Sequence, residues 1–262
     1  MPKFAANLTT MYPEFEVPQR FVAAREAGFR AIEFLQPYAY DKADIGSWLN
    51  DNNLRMILLN TPMGDAKNGE RGLAALPGRE EDFRGAFSLA LDYAVTLSIP
   101  MIHVMAGVVP AGVPRQQCET IMVANLQQAA DMAGEHNIRL QLEPLNGFDV
   151  PGYLHTTTPE TIALLNAIGR TNVQLQYDFY HLQLTQGNLA AGVRDNLDII
   201  GHIQFSSVPG RNEPQYGEVN LPFLLSLLDE LGYDGYVGCE YRPKNSTAEG
   251  LVWAQGYDLG RT

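Results

Sequence analysis

Cysteine is nearly absent from this 262-residue chain: only Cys118 and Cys239 occur, far apart and without the close spacing of metal-binding pairs. A disulfide scaffold is therefore not expected, and the reading is of two reduced thiols in a cytosolic protein. Positive charge is also scarce, with 18 Lys and Arg against 30 Asp and Glu, a net charge of -12, and no basic cluster. Nucleic-acid binding draws on clustered cations that release counterions from the phosphate backbone, so no nucleic-acid partner is expected. No run approaches the ~18 apolar residues of a membrane span, and residues 1–7 hold no apolar signal core, so neither membrane insertion nor export is expected. Several signatures are missing too: the phosphate-binding G-x-x-x-x-G-K-[ST] loop, a strand-linked G-x-G-x-x-G, the G-x-S-x-G elbow and C-x-x-C. Nucleotide, nicotinamide and serine-hydrolase chemistry are accordingly not expected.

What the chain does have is rhythm. Short β-type runs at 3–8, 31–35, 55–60, 101–105, 138–143, 173–178, 200–205 and 236–241 alternate with helical patterns at 18–27, 42–52, 80–97, 115–136, 159–167, 188–197, 221–231 and 247–255. Eight strand-helix units without an internal linker predict a single (β/α)₈ TIM barrel, α/β in class, over residues 1–262. A doubly wound sheet commonly has about six strands. Barrel interiors are usually filled with Val, Ile and Leu, yet the alternate residues here are polar: Arg139, Gln141 and Glu143; Gln174, Gln176 and Asp178; His202 and Gln204. Long connections at 61–78, 144–158 and 206–220 follow strand C-termini, where barrel active sites sit, and predict a lidded pocket.

The last four strands each end in an oxygen donor: Glu143, Asp178, Gln204 and Glu240. A lone carboxylate after a strand is often a helix N-cap. Four such groups on inward parity at one mouth predict a joint site for a hard divalent ion, Mg²⁺ or Mn²⁺, with positions open to water or substrate. His181, three residues after Asp178, reads either as a polarising group for a substrate oxygen or as a structural histidine. Arg211 in the 206–220 loop reads as a bidentate clamp for a substrate carboxylate or as a solvated loop arginine, and Arg71 and Arg79 are weaker candidates of that kind. His103 and His202, mid-strand and inward, are expected to be hydrogen-bonded core residues, and Glu33 to form an internal ion pair.

Several of these segments resemble the hydroxypyruvate isomerase family, a branch of the xylose-isomerase-like barrels that includes 2-oxotetronate isomerases. They are Glu143-Pro-Leu-Asn-Gly-Phe-Asp149-Val-Pro-Gly-Tyr, Gln176-Tyr-Asp178-Phe-Tyr-His181, Gly201-His-Ile-Gln204, Pro209-Gly-Arg211-Asn-Glu213-Pro, Gly217-Glu-Val-Asn220, and the stretch from Gly232 through Glu240-Tyr-Arg-Pro. Phe4-Ala-Ala-Asn-Leu and His103-Val-Met-Ala-Gly107 extend the resemblance over essentially the whole chain; Pro144 departs from the small residue expected after the first glutamate. The resemblance implies that Glu143 and Glu240 shuttle a proton, that both share a divalent ion with Asp178 and Gln204, and that His181 and Arg211 lie near the substrate. The expected reaction interconverts hydroxypyruvate and tartronate semialdehyde through a cis-enediolate, with a metal polarising the hydroxyl and carbonyl oxygens. Alternatives are isomerisation or epimerisation of 2-oxotetronate or a longer sugar, a zinc phosphoesterase of the endonuclease IV type, and a catalytically silent sugar-acid binder. A homo-oligomer stays open.

Overall fold

The structure is a computed structural model and describes residues 1–260. Strands β1 (Lys3–Asn7), β2 (Ala31–Glu33), β3 (Arg55–Asn60), β4 (Met101–His103), β5 (Arg139–Leu142), β6 (Val173–Asp178), β7 (Ile200–Phe205) and β8 (Tyr236–Cys239) are all parallel, and β8 pairs with β1 to close the barrel. Around them run α1 (Val17–Glu26), α2 (Lys42–Asp51), α3 (Glu80–Thr96), α4 (Arg115–Gly134), α5 (Thr158–Ile168), α6 (Phe179–Thr185), α7 (Leu189–Asn196), α8 (Leu221–Glu230) and α9 (Thr247–Gly250). The barrel architecture expected is thus the observed one, with β1, β2, β4, β5 and β8 shorter than their β-type runs; residues 261 and 262 of the expected span lie outside the described residues.

Side chains alternate across each strand, so one residue set packs on helices while the other points inward. Leu140, Leu142, Leu175, Tyr177, Ile203, Phe205, Val237 and Cys239 join one continuous apolar core. The inward set is buried and polar: Asn7, Glu33, His103, Gln141, Gln176, His202 and Gln204 are each at most 1% exposed. A small apolar cluster containing Ala5, Ala31, Ile57 and Met101 packs one layer nearer the strand N-termini. Gly201 provides room for the polar layer, because a Cβ there would stand 2.5 Å from both Gln141 Oε1 and Gln174 Oε1.

Two helices differ from expectation. The helix expected at 188–197 is α7, but a further helix not expected there, α6, precedes it and starts directly after Asp178, whose side chain accepts a hydrogen bond from the Tyr180 N–H. Gly187 and Asn188, both at positive φ, then break the chain before α7. The helix expected at 247–255 is four residues of α-helix followed by a 3-10 segment, Leu251–Tyr257; glycines at 250 and 256 lower its α propensity.

Candidate active site

Register brings the four strand-end donors to one mouth. Asp178 stands opposite Gln204 across β6 and β7, Gln204 opposite Gly238 across β7 and β8, and Glu240 follows two residues on. A cavity of about 230 Å³ opens at this C-terminal end, lined among others by His103, Glu143, Gln176, His181, Arg211 and Glu240. A larger cavity of about 440 Å³ lies at the opposite end, among strand starts such as Arg55, Met101, Arg139 and Tyr236. The buried acids converge at the smaller one, which is also where barrel loops assemble active sites.

The charges there are crowded and poorly hydrated. Burial pushes the Glu143 carboxyl well above its ordinary range, and repulsion from Glu240 and Asp178 adds to this while Arg211 opposes it. Burial likewise raises Glu240 to about 8 and Asp178 to about 6, with Arg211 opposing both shifts. Near neutral pH such carboxyl groups can both give and take protons. Glu143 Oε1 and Asp178 Oδ2 are buried without hydrogen-bond partners.

Arg211 is a wall of the cavity rather than a solvated loop residue. Its Nη2 lies 2.7 Å from Glu240 Oε1 and 4.0 Å from Asp178 Oδ2, Nη1 lies 3.8 Å from Asp149 Oδ2, and the guanidinium sits over the Tyr180 ring at 4.8 Å. Its backbone adopts φ +55°, a left-handed conformation costly for a non-glycine residue and characteristic of functional loops. Arg79 instead pairs with Glu70 and Asp82 outside the cavity, whereas Arg71 lines it.

His181 is fully enclosed. Its Nδ1 accepts from the Asn146 backbone N–H at 3.0 Å and lies 2.8 Å from the Asn146 side-chain nitrogen. Burial, then the charge of Arg211, holds its pKa well below the ordinary value. The neutral ring therefore carries its proton on Nε2, which faces Asp178 Oδ2 at 3.7 Å and Glu143 Oε1 at 4.0 Å. Single donor atoms of Glu143, Asp178 and His181 all lie within 4.8 Å of one another, but a protonated Nε2 donates a hydrogen bond and cannot ligate, so the oxygens are the ligand candidates of this trio.

The expectations for the inner histidines divide. His202 Nε2 lies 2.5 Å from Glu33 Oε1, which supplies the internal pair expected for Glu33. His103 is not the hydrogen-bonded core residue its position suggested. Both its ring nitrogens lack partners, Nδ1 stands 3.5 Å from Glu143 Oε2, and the ring lines the cavity, because the long 61–78 and 144–158 connections leave space above β4. Asp178 and Gln204 are not cavity-wall residues. Asp178 caps α6 through one oxygen, and Gln204 hydrogen-bonds to Glu33 and Gln176. Gln176, Asn146 and Asp149 fall within segments that carry the resemblance, and Gln176 has inward parity, but no role was expected of them; the place of Asn146 and Asp149 at the site depends on loop conformation that spacing does not encode.

This architecture recurs in known proteins. The family model described as a xylose isomerase-like TIM barrel matches residues 21–257. The 2-oxo-tetronate isomerase of Cupriavidus necator is 45% identical over 261 residues, covering 100% of both chains. The hydroxypyruvate isomerase of Escherichia coli is 40% identical, covering 98% of this chain and 100% of its own. A solved structure described as an AP endonuclease, family 2, from Brucella melitensis superposes with a TM-score of 0.96 at 42% identity, covering 98% of this chain and 99% of that one. A 3-keto-D-glucoside 4-epimerase from Escherichia coli shares the fold at TM-score 0.82 and 19% identity. On the family match across most of its length and on full-length relatives at this identity, the chain belongs to the xylose isomerase-like TIM barrels.

Proposed function

We propose that this protein is an isomerase of short hydroxy-oxo acids that interconverts hydroxypyruvate and tartronate semialdehyde. The observation that carries the reading is the pairing, in one cavity of about 230 Å³, of two buried glutamates with raised pKa, Glu143 and Glu240, and one guanidinium, Arg211. Drug-sized ligands occupy pockets of roughly 300 Å³ and more, so this space suits a molecule of a few carbons.

One glutamate takes the proton from the carbon bearing the hydroxyl, and the other returns a proton to the neighbouring carbonyl carbon; the hydroxyl proton passes to the former carbonyl oxygen, so no atom is gained or lost. His181 Nε2–H donates to a substrate oxygen, and the Arg211 guanidinium, which stands against Glu240, offsets the charge of the acid's carboxylate beside the glutamates. Of the donors Glu143, Asp178, Gln204 and Glu240, the first two fit a hard divalent ion such as Mg²⁺ or Mn²⁺ directly, since Glu143 Oε1 and Asp178 Oδ2 are buried without partners; Gln204 Oε1 already accepts from Gln176 Nε2 and would ligate only through its second lone pair. Such an ion supplies charge stabilisation for the oxyanion that deprotonation creates. Arg211 holds Glu240 at 2.7 Å, so Glu240 would join in holding such an ion only by sharing its carboxylate with the guanidinium.

The second reading is isomerisation of 2-oxotetronate, favoured by the name of the 45% identical relative. A phosphoesterase reading draws on the name of the Brucella structure, but the protein's net charge of -12 opposes a polyanionic substrate. The test is a coupled assay on hydroxypyruvate, 2-oxotetronate and a ketohexose, with and without chelator. Chelator-sensitive formation of tartronate semialdehyde supports the first reading; turnover of 2-oxotetronate alone transfers the chemistry to the four-carbon acid; no turnover of either acid refutes both.

A further inference from the structure

Behind the cavity wall, buried polar side chains from four strands form a hydrogen-bonded chain with a direction. Glu33 on β2 lies at its base: Oε1 is 2.5 Å from His202 Nε2, and Oε2 accepts from Asn7 Nδ2 at 2.9 Å and from Gln204 Nε2 at 2.8 Å. Gln204 in turn accepts through Oε1 from Gln176 Nε2 at 2.5 Å. The far end is Gln176 Oε1, buried and without a partner on a residue that lines the cavity.

The direction follows from the carboxylate. Glu33 Oε2 accepts from the NH₂ groups of both Asn7 and Gln204, whereas an amide can turn over and exchange its donor for its acceptor. Glu33 therefore requires the NH₂ of Gln204; the Gln204 oxygen is then turned toward Gln176 and requires its NH₂; what remains for the cavity is an oxygen. Gly238 makes the first contact sterically possible, since a Cβ there would meet Glu33 Oε1 at 2.1 Å and Gln204 Cγ at 2.8 Å.

We infer that Gln176 is a specificity residue whose Oε1 accepts a hydroxyl group of the bound acid, and that Glu33 is the positioning residue that sets this polarity through Gln204. The inference rests on reading the cavity as the substrate site and assigns it a hydroxyl-selecting acceptor. A buried acceptor left unpaired carries a cost, so an acid that lacks the matching hydroxyl binds less well.

Calorimetric titration of the Mg²⁺-supplemented protein with glycerate and with lactate, which differ by one hydroxyl, tests this without turnover. The wild type is expected to favour glycerate by about 3- to 10-fold. Gln176→Met should erase that preference while keeping the affinity for lactate. Glu33→Gln should reduce the preference in the wild-type background and change nothing further beside Gln176→Met, because its effect passes through that residue. A preference that survives Gln176→Met, or a Glu33→Gln loss equal for both acids, overturns the inference. A charge swap covers poor folding of the single variants. Gln176→Glu sets a carboxylate against Gln204 Oε1 and should lower the melting temperature, and adding Glu33→Gln lets Gln204 turn over and should restore it; no restoration overturns the chain of polarity. Failure of the isomerase reading shows up separately, as absent turnover of hydroxypyruvate and 2-oxotetronate with the glycerate preference intact.

Discussion

Replacing Glu240 by Gln keeps the shape of the side chain and removes its exchangeable proton. The structure separates two consequences. For turnover, a positioned acid or base contributes roughly 10²- to 10⁴-fold, so kcat should fall by that factor, about 3–5 kcal/mol of barrier. For stability, Glu240 is buried with a pKa raised to about 8, so ionising it opposes folding. Its folded pKa lies above its unfolded value, hence its contribution is fully present below about pH 4.5 and is lost as pH rises toward 8. The amide cannot ionise but can still accept from Arg211 Nη2, the 2.7 Å contact of the wild type. The variant should therefore lose activity yet melt no lower than wild type at pH 8, with a flatter dependence of Tm on pH between 5 and 8. The assay is coupled turnover of hydroxypyruvate beside thermal melts across that range in chelator. Turnover within tenfold of wild type, or a Tm several degrees lower at pH 8, would refute the reasoning.

Other perturbations give sharper views of single parts. Glu143→Gln should lower kcat by a similar 10²- to 10⁴-fold, while leaving a folded protein by circular dichroism. In metal-free protein the raised pKa values of Glu143, Asp178 and Glu240 make stability decline from about pH 5 to 8; Mg²⁺ binds the ionised forms, so its gain in Tm should be larger at pH 8 than at pH 6, as thermal melts would report. Arg211→Lys should raise KM for hydroxypyruvate about tenfold or more with a smaller change in kcat, because an ammonium cannot make the planar two-point contact of the guanidinium. His103→Leu should lower kcat/KM through loss of a polar contact to the bound acid, with Tm maintained because no hydrogen bond is removed; a fall in Tm of many degrees with unchanged kinetics would return His103 to the core.

The eight strands and their order were legible because a strand buried on its helix face and polar on its inner face shows a period of two, visible at 138–143, 173–178 and 200–205. The same period placed Glu143, Asp178 and Gln204 inward. The conformation of the connections was not legible: α6 starts directly after Asp178, which caps the helix through one oxygen while the other has no hydrogen-bond partner. Arg211 reaches Glu240 only because the backbone at 210 and 211 turns through positive φ, which a single arginine in a loop does not announce. The Glu33–Gln204–Gln176 chain joins β2 to β7 and β6 across the closed barrel, contacts separated by as many as 171 positions that no local pattern can encode. His103 was misjudged for the same reason, since whether a mid-strand histidine finds partners depends on what the distant loops leave above it.

The barrel separates two kinds of inheritance. Glu143, Asp178, Gln204 and Glu240 stand at the ends of β5 to β8, held in register by backbone ladders and by an apolar shell that does not depend on what enters the mouth. Arg71, Asp149 and Arg211, which also border the cavity, come from connections free to change length and composition. A lineage can therefore rewrite the rim while the strand-end floor is passed on unchanged, and grafting a relative's 144–158 or 206–220 connection onto this chain should change what the cavity accepts without disturbing the buried acids beneath it.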